Sequence, residues 1–128
     1  MTLGRFSDEV IEALSIDCLI FGFRDEKLDV LLIKHAEGIS KGRWALPGGW
    51  IRYNESIDAA AARLLKSLTG LSDVFLEQFH TFGDVDRYPG KRVITVAYFA
   101  LINAENYSLS AGFTASDAKW FQIRELPD

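Results

Sequence analysis

Apolar residues recur with two different periods along this chain, and the change of period marks its elements. From Ser15 to Arg24 and from Leu28 to His35, β-branched, aliphatic and aromatic residues crowd into short runs on either side of Asp25-Glu26-Lys27. Such runs predict two strands joined into a hairpin by a polar turn. A loop with Gly38, Ser40 and Gly42 follows, and then Trp44-Ala45-Leu46-Pro47-Gly48-Gly49-Trp50. A proline and two glycines among apolar residues force an irregular backbone that turns sharply or is approached closely. Ile57, Ala60, Ala61, Leu64, Leu65 and Leu68 keep the three-and-four spacing of one buried stripe, which predicts a helix capped by Ser56 and ended by Gly70. Val74 to Phe82, Arg92 to Ile102 and Lys119 to Ile123 read as later strands, separated by turn-forming stretches such as Asp86-Arg87-Tyr88-Pro89-Gly90. Before the hairpin, Val10, Ile11 and Leu14 have a helical spacing, and residues 1–14 read as an N-terminal arm ahead of one domain over 15–128. One long helix between two groups of strands implies a mixed sheet covered by helices, an α/β (α+β mixed) fold.

The length of 128 residues suits one domain, and 48% hydrophobic with 25% charged residues is the composition of a globular chain. The longest apolar run, Ile16 to Phe23, is interrupted and too short to span a bilayer, so no membrane or secretion role is expected. Cys18 is the only cysteine, which rules out an internal disulfide and suits a reducing cytoplasm, where it would serve as a small buried hydrophobe. A formal net charge of −4 offers no global attraction for phosphate backbones, so this segment alone is a poor nucleic-acid binder.

Gly49 to Leu71 resembles the Nudix box, G-x5-E-x7-R-E-U-x-E-E-x-G-U with U an aliphatic residue. Gly49, Glu55, Arg63, Leu65, Gly70 and Leu71 match, while the three helix positions at which the family carries glutamates hold Leu64, Ser67 and Leu68. The likeness extends to Gly42, Trp44 and Leu46-Pro47-Gly48-Gly49 upstream, and to Trp120 and Glu125-Leu126-Pro127 near the end. It implies the Nudix fold, a mixed sheet sandwiched between helices. In the family this loop and helix hold magnesium or manganese beside a diphosphate, so that water attacks a nucleoside diphosphate derivative. Positions 64, 67 and 68 project from one helix face, and two leucines with a serine offer a hard cation almost nothing. The resemblance leaves Gly49, Glu55, Arg63 and Gly70 as a structural box, with Glu55 and Arg63 bracing the loop on the helix.

Phe82 to Tyr98 is similar to the segment found in ADP-ribose-type Nudix proteins and in Nudix-related transcriptional regulators. Those regulators often have degraded boxes, sense a nucleotide or a sugar, and carry a winged helix-turn-helix after the Nudix domain. The resemblance therefore implies a non-hydrolytic sensor of ADP-ribose, a related nucleotide or a sugar, working without cofactor, as a homodimer, with DNA contacted only through a module beyond Asp128. Arg43, Trp50, Arg52, Arg87 and Arg92 are the candidate ligand contacts, because guanidinium groups fork onto phosphates and sugars and an indole stacks on a base. Trp44 and Trp120, and His35 and His80, read instead as structural. The alternative is an active hydrolase using Mg2+ or Mn2+, with Glu55, Asp58, Glu77, Asp84 and Asp86 as replacement carboxylates and Glu55 as the one box ligand left. A third reading is a pure interaction domain, pairing through strand edges or the apolar residues near Tyr98 and Phe99.

Overall fold

In the computed structural model of the chain, residues 10–85 and 91–127 are described, so Asp86, Arg87 and the rest of the 86–90 turn lie outside the described residues. The sheet is organised by one long strand, β1 (Val10–Arg24), whose alternating Ile16, Cys18 and Ile20 are fully buried on one face. Its far half forms the expected hairpin with β2 (Lys27–His35), closing through Arg24 opposite Lys27. Asp25 and Glu26 between them both have positive φ, 52° and 61°, the backbone that a two-residue turn needs to match the twist of the strands. After the short β3 (Trp44–Ala45), β4 (Gly48–Arg52) runs antiparallel along the first half of β1. The chain then enters α1 (Ile57–Thr69), followed by β5 (Glu77–Phe82), β6 (Ile94–Asn103) and β7 (Ala115–Gln122). β6 lies parallel to β1, β5 pairs with the other side of β6, and β7 pairs with β2, giving a seven-stranded mixed sheet.

α1 covers one face of this sheet. Ser56 Oγ accepts a hydrogen bond from the Ala59 backbone N–H at 3.0 Å, and Gly70, at φ 80°, ends the helix with its N–H on the Lys66 carbonyl. The buried stripe of Ala60, Ala61, Leu64, Leu65 and Leu68 packs into the core with Ile16, Cys18 and Ile20 of β1, Leu31 and Ile33 of β2, and Val96 and Tyr98 of β6. Burial, with a smaller push from Asp17, raises the Cys18 thiol to about 12, so it stays protonated and serves as a hydrophobe. The Tyr98 hydroxyl donates to the Asp58 carboxylate in the first turn of α1, which ties the helix start to β6 and commits Asp58 to that role. Trp120 packs against the core, its ring filling the space beside Gly22.

The residues with helical spacing before the hairpin are part of β1: Val10 pairs with Arg52, and Ile11 and Leu14 pack against the core. The later strands are also displaced from their expected ends, since β5 begins at Glu77 and β7 runs from Ala115. No helix among the described residues is long and apolar enough to cross a membrane.

Candidate functional site

The Pro47-Gly48-Gly49 segment works as a close-approach backbone. The Cys18 N–H donates to the Pro47 carbonyl at 2.7 Å, and Gly48 and Gly49 then pair with Asp17 and Ile16. A Cβ on Gly48 would lie 2.2 Å from the Ile16 carbonyl oxygen, and one on Gly49 would meet Leu64 Cδ2 at 2.8 Å. Bare backbone lets β1, β4 and α1 converge here, as the sequence required.

The bracing pair of the box is in place. Arg63 donates through Nε to Glu55 Oε2 at 2.9 Å and through Nη2 to Oε1 at 2.7 Å, while Nη2 also reaches the Trp50 carbonyl at 2.9 Å. Glu55 Oε1 further accepts the Arg52 backbone N–H at 2.9 Å. These contacts, the Arg63 hydrogen bonds above all, hold the Glu55 carboxyl below its ordinary value against the opposing effect of burial. A lowered folded value means that this stabilisation is fully present above the unfolded carboxylate range and is lost as pH falls through the folded value. Glu55→Gln is therefore expected to flatten the acid limb of stability: in melts at pH 7 and pH 3 the native domain should lose more Tm than the variant. Equal losses would show that the pair contributes nothing to the acid response.

Two of the three helix positions at which the family carries glutamates are core. Leu64 and Leu68 are 2% and 1% exposed, and the Ser67 hydroxyl donates to the Leu64 carbonyl at 3.3 Å. Glu55 is spent on Arg63 and Arg52. Among the described residues no three His, Cys, Asp or Glu side chains group in a way that could hold a metal ion. Glu77 and Asp84 are exposed and stand outside the box, and Asp86 is outside the described residues. Among the described residues Glu55, Asp58, Glu77 and Asp84 do not gather into such a group, and leucine side chains fill the helix face at positions 64 and 68.

A cavity of about 540 Å3 opens beside this loop, within the roughly 300–1,000 Å3 range of small-molecule sites. β1 supplies Ser15 and Asp17, β2 and the loop after it supply His35 and Ser40, and the approach to β6 supplies Lys91. Gly48 and Gly49 give a backbone wall, and Ile16, Ala45, Leu46, Trp50 and Val93 give apolar surface. No residue of α1 lines it. Trp50 is 38% exposed, and Lys91 Nζ sits 4.8 Å from the centroid of its ring. An indole face, a cation beside it, hydroxyls and a carboxylate suit a ligand that joins a planar base, an anionic group and sugar hydroxyls.

Of the five contacts anticipated from sequence, the cavity takes in Trp50. Arg43 and Arg52 are not among its lining residues, Arg92 donates to the Gly83 carbonyl at 3.0 Å, and Arg87 is outside the described residues. His35, read from sequence as structural, borders the cavity, and Ser15, Asp17, Ser40 and Lys91 were not singled out for it. Trp44 does not line it: its ring packs edge-on against Phe121 at 4.9 Å. His80 sits on β5, edge-on to Phe82.

Comparison with known proteins places this geometry. The profile of the NUDIX domain matches residues 12–128. The ADPR responsive transcriptional repressor NtrR of Acinetobacter baylyi is 36% identical over 79% of this chain, and the ADP-ribose pyrophosphatase of Methanocaldococcus jannaschii is 31% identical over 90%. The chain spans 41% and 64% of the length of those two relatives. Among solved structures, the NUDIX domain of Shewanella oneidensis NrtR complexed with ADP ribose superposes with a TM-score of 0.79 at 30% identity, covering 87% of this chain and 73% of that one. Fold, box register and family profile agree: the chain belongs to the NUDIX family, in company with ADP-ribose-responsive regulators and ADP-ribose pyrophosphatases.

Proposed function

We propose that this domain binds ADP-ribose, or a closely related nucleotide, as a signal and does not cleave it. The observation that carries this reading is the burial of Leu64 and Leu68 at the positions where the family holds its metal, with the ligand-sized cavity on surface that α1 does not line. Without a metal-bound water there is neither an activated nucleophile nor a charge clamp on the diphosphate. Binding is retained, because it needs the Trp50 face, the Lys91 cation and the hydrogen-bonding groups of β1 and β2. In this role the domain is the sensing part of a transcriptional regulator whose DNA contacts are made by another module.

The test is thermal unfolding with ADP-ribose, with and without magnesium, followed by chromatography of the ligand. A ligand at a hundred times its Kd stabilises the folded state by about 2.7 kcal/mol, which raises Tm by roughly 5 °C or more in a domain of this size. The expected result is a shift of that order without metal, with ADP-ribose recovered intact. Trp50→Ala should weaken the affinity about tenfold or more, the value of one stacked base. Magnesium-dependent cleavage at ordinary enzyme rates would refute the reading.

A further inference from the structure

We infer that β6 takes an extended segment of a partner protein as an added strand along its open edge at residues 100–103, and that this segment is apolar with basic residues flanking it. β1 pairs with one side of β6 over its whole length, from Ile94 to Asn103. β5 pairs with the other side only from Thr95 to Phe99, because its first residue, Glu77, is the one opposite Phe99. Before Glu77 the chain leaves the edge, with Val74 and Leu76 packed against the core. Among the described residues no strand or loop supplies a backbone partner to that side of residues 100–103. Successive residues of a strand turn their peptide groups alternately to its two sides, so two of these four residues present N–H and C=O groups outward. A groove of about 430 Å3 runs along this edge. It is bordered by Ala100 and Ile102, which lie on the α1 side, and also by Phe99 and Leu101, which lie on the opposite face. A groove that meets both faces of a strand is the space of a missing neighbour.

The edge and its surroundings fix the chemistry of the occupant. Ala100-Leu101-Ile102-Asn103 has none of the devices that keep sheet edges unpaired: it contains no proline and no charge, and its register with β1 runs on without a bulge. Open peptide groups are satisfied by another extended backbone, whereas a helix has already paired its own. The groove walls are apolar, with Phe75 78% and Leu101 58% exposed, and these receive the apolar side chains of the added strand. Asp73 and Glu77 also border the groove, both exposed and without an ion-pair partner among the described residues, and no Lys, Arg or His lines it. Two unneutralised carboxylates attract a segment with basic flanks, and they repel nucleic acid and the same edge of a second copy.

The experiment titrates the purified domain with a labelled eight-residue peptide, four valines between two pairs of lysines, blocked at both ends. One control has glutamate for every lysine, and the other has proline for every valine, which stays extended but has no N–H to donate. The parent peptide should bind about tenfold more tightly than either control. Amide exchange followed residue by residue by NMR locates it: alternate amides within 100–103, those not bonded to β1, should exchange about tenfold more slowly when nine-tenths of the domain is occupied. Asp73→Asn with Glu77→Lys should weaken binding about tenfold. Glu37→Lys with Asp117→Asn, the same charge change at the end of β2, should alter it less than about twofold. All four positions are exposed, so both variants should melt close to the parent. Equal binding of the proline peptide, equal effects of the two charge variants, or slowed exchange that misses residues 100–103 would each overturn the proposal in favour of unspecific attraction. Slowed exchange of the same amides without peptide, growing with protein concentration alongside a dimer in sedimentation, would overturn it in favour of a second copy.

Discussion

Leu64→Glu and Leu68→Glu are each expected to cost about 4 kcal/mol or more, and the triple variant that adds Ser67→Glu is expected to be unfolded at 37 °C. Putting the family's glutamates back into this helix does not rebuild a metal site. It inserts carboxylates into a packed core. Each leucine loses roughly 2–3 kcal/mol of apolar burial, and each new carboxylate arrives at a position 1–2% exposed within the apolar core. Domains of this size have only about 5–15 kcal/mol to lose. Ser67→Glu alone is the internal control: Ser67 is half-buried at the helix surface, so its replacement should cost about 1 kcal/mol or less. Urea unfolding of the three single variants and the triple reads the ordering directly. A triple variant that stays folded and hydrolyses ADP-ribose with magnesium would mean that the helix can release its leucines from the core, and the sensor reading would fall with that result.

The helix and the strands that flank it were legible because their patterns are long. Six apolar residues at three-and-four spacing over Ile57–Leu68, with a capping serine and a terminal glycine, leave little choice, and Ile16, Cys18 and Ile20 alternate as a half-buried strand must. The stretch from Val10 to Leu14 misled because three positions cannot separate a period of 3.6 from an irregular strand. The register of β1 against β4 shifts between Val10 and Ser15, which breaks the alternation that would have identified it. The box was readable down to the Glu55–Arg63 pair, since a motif fixes partners eight residues apart. The cavity was not. Its polar lining comes from Ser15, Asp17, His35, Ser40 and Lys91, which are separated along the chain and meet only through the pairing of β1 with β2 and with β6 and the course of the loop after β2. Arg43 and Arg92 lie just ahead of β3 and β6, where strand periodicity gives no side-chain direction, and Arg92 donates to the Gly83 carbonyl.

Gly48→Ala is expected to cost about 3 kcal/mol or more and to abolish ligand binding with it, the largest effect that an added methyl group should have at any of the described glycines. The reason is that the clash is with backbone. A Cβ at Gly48 would stand 2.2 Å from the Ile16 carbonyl oxygen and 3.2 Å from Asp17 Cα, neither of which can rotate away, so β4 must separate from β1. That seam carries one wall of the cavity and the Cys18 to Pro47 hydrogen bond. Two other glycines calibrate the expectation. At Gly49 the obstacle is Leu64 Cδ2 at 2.8 Å, the end of a side chain that can adjust, and Gly49→Ala should cost about 1–2 kcal/mol. At Gly38 there is nothing within 4 Å, and the only penalty is its positive φ of 80°, so Gly38→Ala should cost about 1 kcal/mol. Chemical unfolding of the three variants, with ADP-ribose binding measured on each that folds, tests the ordering. If Gly48→Ala proves as mild as Gly38→Ala, then β1 and β4 slide freely, and the cavity they border is not the preorganised site that an uncleaved signal requires.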